Sequence, residues 1–197
     1  KFVCLLLACV MIIPFAGCAQ SGRVSQNVAE KSKGKLITIT VPSLLMHNVT
    51  EENMEQDAQE MGFSKCAVLN DGSVTYEMTS DTAAEIKRSF ETEAEEGLAS
   101  VNKAIRENSA GSVEGVDANE DFSRIKVFVN PDSFRKEERS RFFTTALMGA
   151  YYQVFSQVPA SKVNVVIDFI SSRTEEVLSS LNLDEVVNTL EHPEAYQ

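Results

Sequence analysis

The residues that could do chemistry are few and widely spaced. Asp117, Asn119 and Asp121 fall at alternate positions, as the first three ligands of a calcium loop do. The pattern then fails. Phe122 stands where the turn glycine belongs, and Phe128 where a bidentate glutamate belongs. An acidic loop is the expected reading. A catalytic zinc site draws on several His, Cys or carboxylate ligands at close spacing. The two histidines, His47 and His192, have no such companions. Ser112 lies between Gly111 and Gly115, but the strand-turn-helix context that exposes a nucleophilic serine is missing. The same stretch lacks the Gly-Lys-Ser/Thr ending of a phosphate loop. Carboxylate pairs such as Glu95 and Glu96 belong to a generally charged helix face. No catalytic residue, metal ligand or cofactor is expected from these patterns.

Cysteine carries the remaining chemistry. The four cysteines are Cys4, Cys9, Cys18 and Cys66. Cys66 sits in "KCAVLN", a strand-like run, where a buried inert thiol is expected, because reactivity needs exposure and a basic or helix-terminal setting. Cys4, Cys9 and Cys18 belong to a different kind of segment. Residues 2–13, "FVCLLLACVMII", carry no charge and end at Pro14. A membrane-spanning helix needs about 20 apolar residues. The apolar core of a secretory signal needs roughly 7–15, between a basic start and small residues at the cut. Lys1 reads as the remainder of that basic start, and Ala16 and Gly17 as the small residues.

Phe15-Ala16-Gly17-Cys18 resembles the lipobox of a bacterial lipoprotein signal, with Phe15 in place of the usual leucine. The resemblance implies cleavage between Gly17 and Cys18 and a diacylglyceryl thioether on Cys18. Residues 1–17 are then the signal peptide. Residues 18–34 are polar, lack a period, and read as a flexible tether. An α+β domain is expected over 35–197, at the extracytoplasmic face of the cell membrane.

The elements of that domain follow from periodicity. "KLITITV" (35–41) alternates Ile37, Ile39 and Val41 with Thr38 and Thr40, the pattern of a half-buried strand. Thr50 reads as the cap of a helix carrying Met54, Ala58 and Met61, ended by Gly62. Asp71-Gly72 lies between two β-prone runs and predicts a tight hairpin. A long helix is expected over 81–107, with Ile86, Phe90, Ala94, Leu98, Val101 and Ile105 as its apolar stripe. Residues 108–121 read as a loop and 122–130 as a strand. Asn130-Pro131 is expected to open a second long helix that ends at Pro159. "KVNVVIDFI" (162–170) reads as a strand with Asn164 and Asp168 on its polar side, and 183–192 as a weak helix.

Alternating strands predict one mainly antiparallel sheet in the order β-α-β-β-α-β-α-β, in a two-layer sandwich with helices on one face. The open face would carry Thr38, Thr40, Thr75, Glu77, Asn164 and Asp168. The segments 69–86 and 163–180 resemble those of small bacterial lipoproteins of the Gram-positive gut type. The matching residues are Ile39 to Pro42, Asp71 to Tyr76 with Met78-Thr79, and Thr174-Glu175-Glu176, where Glu175 replaces a glycine. That family has no assigned activity, so the resemblance implies none.

The net charge of −11 excludes the basic footprint of a nucleic-acid-binding protein and gives no attraction to anionic lipid headgroups. The expected role is therefore binding, held to the membrane through Cys18, with a protein partner, a second copy or a small ligand on the open sheet face. The competing expectation is a cell-envelope enzyme or enzyme accessory, whose pocket would gather Asp117, Asp121, Glu77 and Asp168. A transporter-associated substrate-binding lipoprotein is disfavoured, because such proteins need two lobes.

Overall fold

The computed structural model describes residues 34–46, Met54, Ala58 and 61–191. Gly17, Cys18, the tether as far as residue 33, His47, the Thr50 cap and His192 lie outside these residues. The chain is α+β, as expected, and it divides into two compact units between Ile86 and Lys87. Its strands form two sheets rather than the single sheet expected. Alternation reports which face a strand buries, not which strand it pairs with. Here the strands before residue 80 pair with one another, and those after it do the same.

The first unit is built on β1 (Leu36–Val41), β2 (Lys65–Val68) and β3 (Val74–Thr79). They form an antiparallel sheet in the order β1-β3-β2. Ile39, Val41, Val74, Tyr76 and Met78 bury one face, joined by Leu45, Phe63 and the helical Met54 and Ala58. The predicted hairpin joins β2 to β3. Leu69 N–H donates to Ser73 O at 2.7 Å, Gly72 N–H donates to Leu69 O at 3.0 Å, and Asp71 Oδ1 accepts the Ser73 N–H at 2.9 Å. Gly72 supplies the left-handed residue, with φ of 80°. Cys66 pairs in register with Tyr76 and is half-buried.

The helix α1 (Ser80–Arg106) follows β3 directly. Thr79 caps it, its Oγ1 accepting the Thr82 N–H at 3.2 Å. Ala83 and Ile86 are buried in the first unit, and Phe90 and Ala94 in the second.

The second unit contains β4 (Val113–Ala118), β5 (Arg124–Val129), α2 (Phe143–Phe155), β6 (Val166–Ser171), β7 (Val177–Asn182) and α3 (Leu183–Glu191). Its sheet runs β4-β5-β6-β7. The β4/β5 and β6/β7 pairs are antiparallel, whereas β5 and β6 are parallel. A parallel pair needs a crossover, which the α2 segment provides. Ile125, Val127, Val129, Ile167 and Phe169 are fully buried. Phe142 meets Phe169 edge-on at 5.8 Å, and Phe90 stacks on Tyr151 at 4.9 Å. Each such aromatic contributes roughly 2–3 kcal/mol through area removed from water.

Four sequence expectations change here. The stretch read as a loop over 108–121 contains β4, which a register shift between Val113 and Gly115 disguises. The "VLSSLN" run forms β7, an edge strand whose serines weaken the β pattern. The helix expected from Pro131 begins only at Phe143. Asn130 O instead accepts the Ser133 and Phe134 N–H groups in a turn, and Arg135 is extended before a 3-10 helix over Lys136–Phe142. Finally, the strand expected over 162–170 starts at Val166. Gln153 is buried and holds Asn164 from both sides: its Nε2 donates to Asn164 O at 2.8 Å, and its Oε1 accepts the Asn164 N–H at 3.1 Å.

Candidate functional site

The six residues expected on one open face do not share a face. Thr38, Thr40, Thr75 and Glu77 do lie together on the polar side of the first sheet, since Thr38 pairs with Glu77 and Thr40 with Thr75. Glu77 is also paired with Lys65 at 3.8 Å. Asp168 belongs to the second sheet, and Asn164 to the connection before β6. Asp168 is 7% exposed rather than open. Its Oδ2 lies 3.2 Å from Arg124 Nε, and its Oδ1 accepts the Ser180 hydroxyl at 2.7 Å. This carboxylate is fully engaged in joining β5, β6 and β7.

The carboxylates of the enzyme expectation are likewise dispersed. Glu77 is in the first unit, and Asp117, Asp121 and Asp168 are in the second. Asp117 is two strands from Asp168, with Lys126 in register between them. Asp121 and Asn119 spend their oxygens inside the β4–β5 turn. Asp121 Oδ1 accepts the Ser123 N–H at 3.0 Å, and Asn119 Oδ1 accepts the Arg124 N–H at 2.9 Å. Phe122 completes that turn with φ of 55°. Among the described residues, no group of three or more His, Cys, Asp or Glu converges as a metal site would require. No helix among them is long and apolar enough to cross a membrane.

A concave site lies elsewhere among the described residues. A groove of about 400 Å³ lies in the second unit, between the C-terminal half of α1 and the start of α2. It arises from residue size. The apolar stripe of α1 is buried at Phe90 and Ala94 but only half-buried at Leu98, Val101 and Ile105. On the same side Gly97, Ser100 and Ala104 recur at helical spacing, and their small side chains leave the space open. Gly97 is the point of closest approach to α2. A Cβ there would come within 2.6 Å of Thr145 Oγ1.

The far end of the groove is closed by the loop after α1, which is fixed on both sides. Asn108 ends the helix with φ of 53°, and the Ser109 N–H donates to Ala104 O at 2.9 Å. From the 3-10 helix, Arg141 Nη1 donates to Ala110 O at 2.8 Å. Glu138 accepts the Ser112 N–H at 3.4 Å and also the Ser112 hydroxyl. Val101, Ala104, Val113 and Phe142 supply an apolar floor.

Charge divides the groove lengthwise. Glu93 is at the end nearer the N-terminus of α1. Burial raises its pKa above the ordinary glutamate value, the neighbouring Glu96 charge raises it further, and a hydrogen bond from Ser89 opposes both. Arg141 is at the other end, beside Ala110. Ser100 and Thr144 also line the groove. Sequence reasoning passed over this site because its residues are of common types and come from three separate segments. The small residues Gly97, Ser100 and Ala104 at helical spacing are the one partial signal of it in the sequence.

Comparison with protein-family models, with curated proteins and with solved structures found no match to this chain.

Proposed function

We infer that this chain is a lipid-anchored, extracytoplasmic binding protein. The Phe15-Ala16-Gly17-Cys18 stretch supports the anchor. Two or three acyl chains on Cys18 would hold the protein firmly, because each buried methylene contributes about 0.8 kcal/mol and a single chain is only marginal. The observation that carries the binding role is the groove in the second unit. Its end loop is already tied to the 3-10 helix by Arg141 and Glu138, so a ligand would enter a preformed site with little ordering cost. The polar groups around it are suited to hold a ligand in one orientation, and the role is binding rather than catalysis.

Two measurements test this reading. Cells grown with labelled palmitate should label the wild type and not the Cys18→Ala variant; label that persists in the variant removes the anchor. A thermal-shift screen of amino acids, peptides, sugars and inorganic ions should find stabilising compounds whose effect disappears in Ala104→Trp, which fills the groove. Stabilisation that survives that substitution removes the groove as the site.

A further inference from the structure

The geometry points to a short, extended chain with a free ammonium at one end and a free carboxylate at the other, a small peptide with unblocked termini, as the occupant of the α1–α2 groove. This deepens the binding reading above and rests on it.

The first argument is the separation of charge. Glu93 and Ala104 both line the groove and stand eleven positions apart on α1. At about 1.5 Å per residue their Cα atoms are roughly 16 Å apart. Arg141 is tethered to Ala110, just beyond that end. The two charged residues thus mark opposite ends of an elongated site, with Gly97 and Thr145 between them. A compact ion cannot meet both. An extended chain of four residues spans about 13 Å and can, once the reach of the Glu and Arg side chains is included.

The second argument is the chemistry of each end. Glu93 is partly desolvated and sits beside the like charge of Glu96. A ligand ammonium placed there would relieve both penalties. The charge that acts on it is Glu96 on its own helix, while Arg141 lines the far end of the groove with the Glu138 carboxylate beside it at Gly111. At that far end Arg141 presents a guanidinium, whose five donors exceed the one given to Ala110 O and suit a carboxylate. Ser100, Val101 and Thr144 also line the groove and offer hydroxyls for peptide groups and methyls for small side chains.

The test uses tetraalanine with free termini, N-acetyl-tetraalanine and tetraalanine amide, added to the full chain in detergent. Methyl NMR signals of Val101, Ala104 and Val113 report occupancy. Free tetraalanine should give saturable shifts. Capping either terminus should weaken binding about tenfold, the effect of one charge-assisted hydrogen bond. In Glu93→Gln the acetyl cap should no longer matter while the amide cap still does, and in Arg141→Gln the reverse. Affinity of the wild type should fall as pH is lowered through the raised Glu93 pKa, whereas Glu93→Gln should show no such fall.

Equal binding of the free and capped peptides overturns the proposal without any variant having to fold. Loss of both preferences together in Glu93→Gln overturns it as well. If tetraalanine gives no shift while another compound binds and is blocked by Ala104→Trp, the groove remains a binding site and the peptide assignment falls.

Discussion

Gly97 on α1 faces Thr145 on α2 so closely that a single added methyl would lie 2.6 Å from the threonine Oγ1. The contact sets how near the two helices come. Gly97→Ala gains helix propensity worth about 0.5–1 kcal/mol but forces this contact apart, at about 1–3 kcal/mol. A net loss of about 1 kcal/mol is expected by urea denaturation. Thr145→Ala removes the obstructing atoms. The Gly97→Ala/Thr145→Ala pair should therefore be more stable than the sum of the single changes, a coupling that a double-mutant cycle measures directly.

Gln153 replaces two backbone partners at once. Its amide satisfies both the N–H and the carbonyl of Asn164 where the chain turns into β6. Gln153→Met keeps the size but leaves both groups without their partner. A loss of about 2 kcal/mol is expected. Hydrogen exchange should localise it, with the Asn164 amide losing protection before those of β5.

Gln157 and Glu175 are two of the four non-glycine residues that, among the described residues, sit in the left-handed region where glycine is favoured. Gln157 has φ of 62° and terminates α2, with its N–H bonded to Val154 O at 3.0 Å and the Val158 N–H to Gln153 O at 3.0 Å. Glu175 has φ of 60° in the turn before β7, its N–H donating to Ser171 O at 2.9 Å. Gln157→Gly and Glu175→Gly should each stabilise the protein by about 0.5–1 kcal/mol, because relief of the left-handed strain exceeds the added freedom of the unfolded chain. Thermal denaturation should show each midpoint rising. A fall at either position would mean that its side chain contributes more than its backbone costs.

Where the chain's periodicity was strong, the fold could be read from it. Val74, Tyr76 and Met78 alternate with Thr75 and Glu77, and the buried and open faces of β3 follow that division. The apolar stripe places the long helix to within a residue at each end, and in the fold Thr79 caps it and Asn108 ends it. The division into two sheets was not legible, because pairing depends on contacts remote in sequence. Nor was β4, whose Glu114, Gly115 and Asp117 are poor strand formers and whose bulge breaks the period. Asp168 was assigned correctly to the polar side of its strand but wrongly to solvent. Arg124 and Ser180, from neighbouring strands, cover it. The groove needed Gly97 and Arg141 to be brought together by folding, which no local pattern encodes.

The β4–β5 turn should be the acid-sensitive part of the second unit. The Ser123 side chain and then its backbone N–H donate to Asp121, and these bonds hold its pKa below the ordinary aspartate value despite an opposing effect of burial. A carboxyl with a depressed folded pKa contributes stability that is complete above its unfolded value and is lost as pH falls through the folded one. For Asp121 that window begins near the ordinary value of 3.8 and extends downward. Stability should thus decline below about pH 4 in the wild type. Asp121→Asn keeps an acceptor for the Ser123 N–H but cannot titrate, so it should be slightly less stable at neutral pH and show a shallower acid decline. Parallel denaturation series between pH 2 and pH 7, followed through the amide signals of Ser123 and Arg124, check both. An acid limb of unchanged slope in Asp121→Asn would assign the decline to other carboxylates.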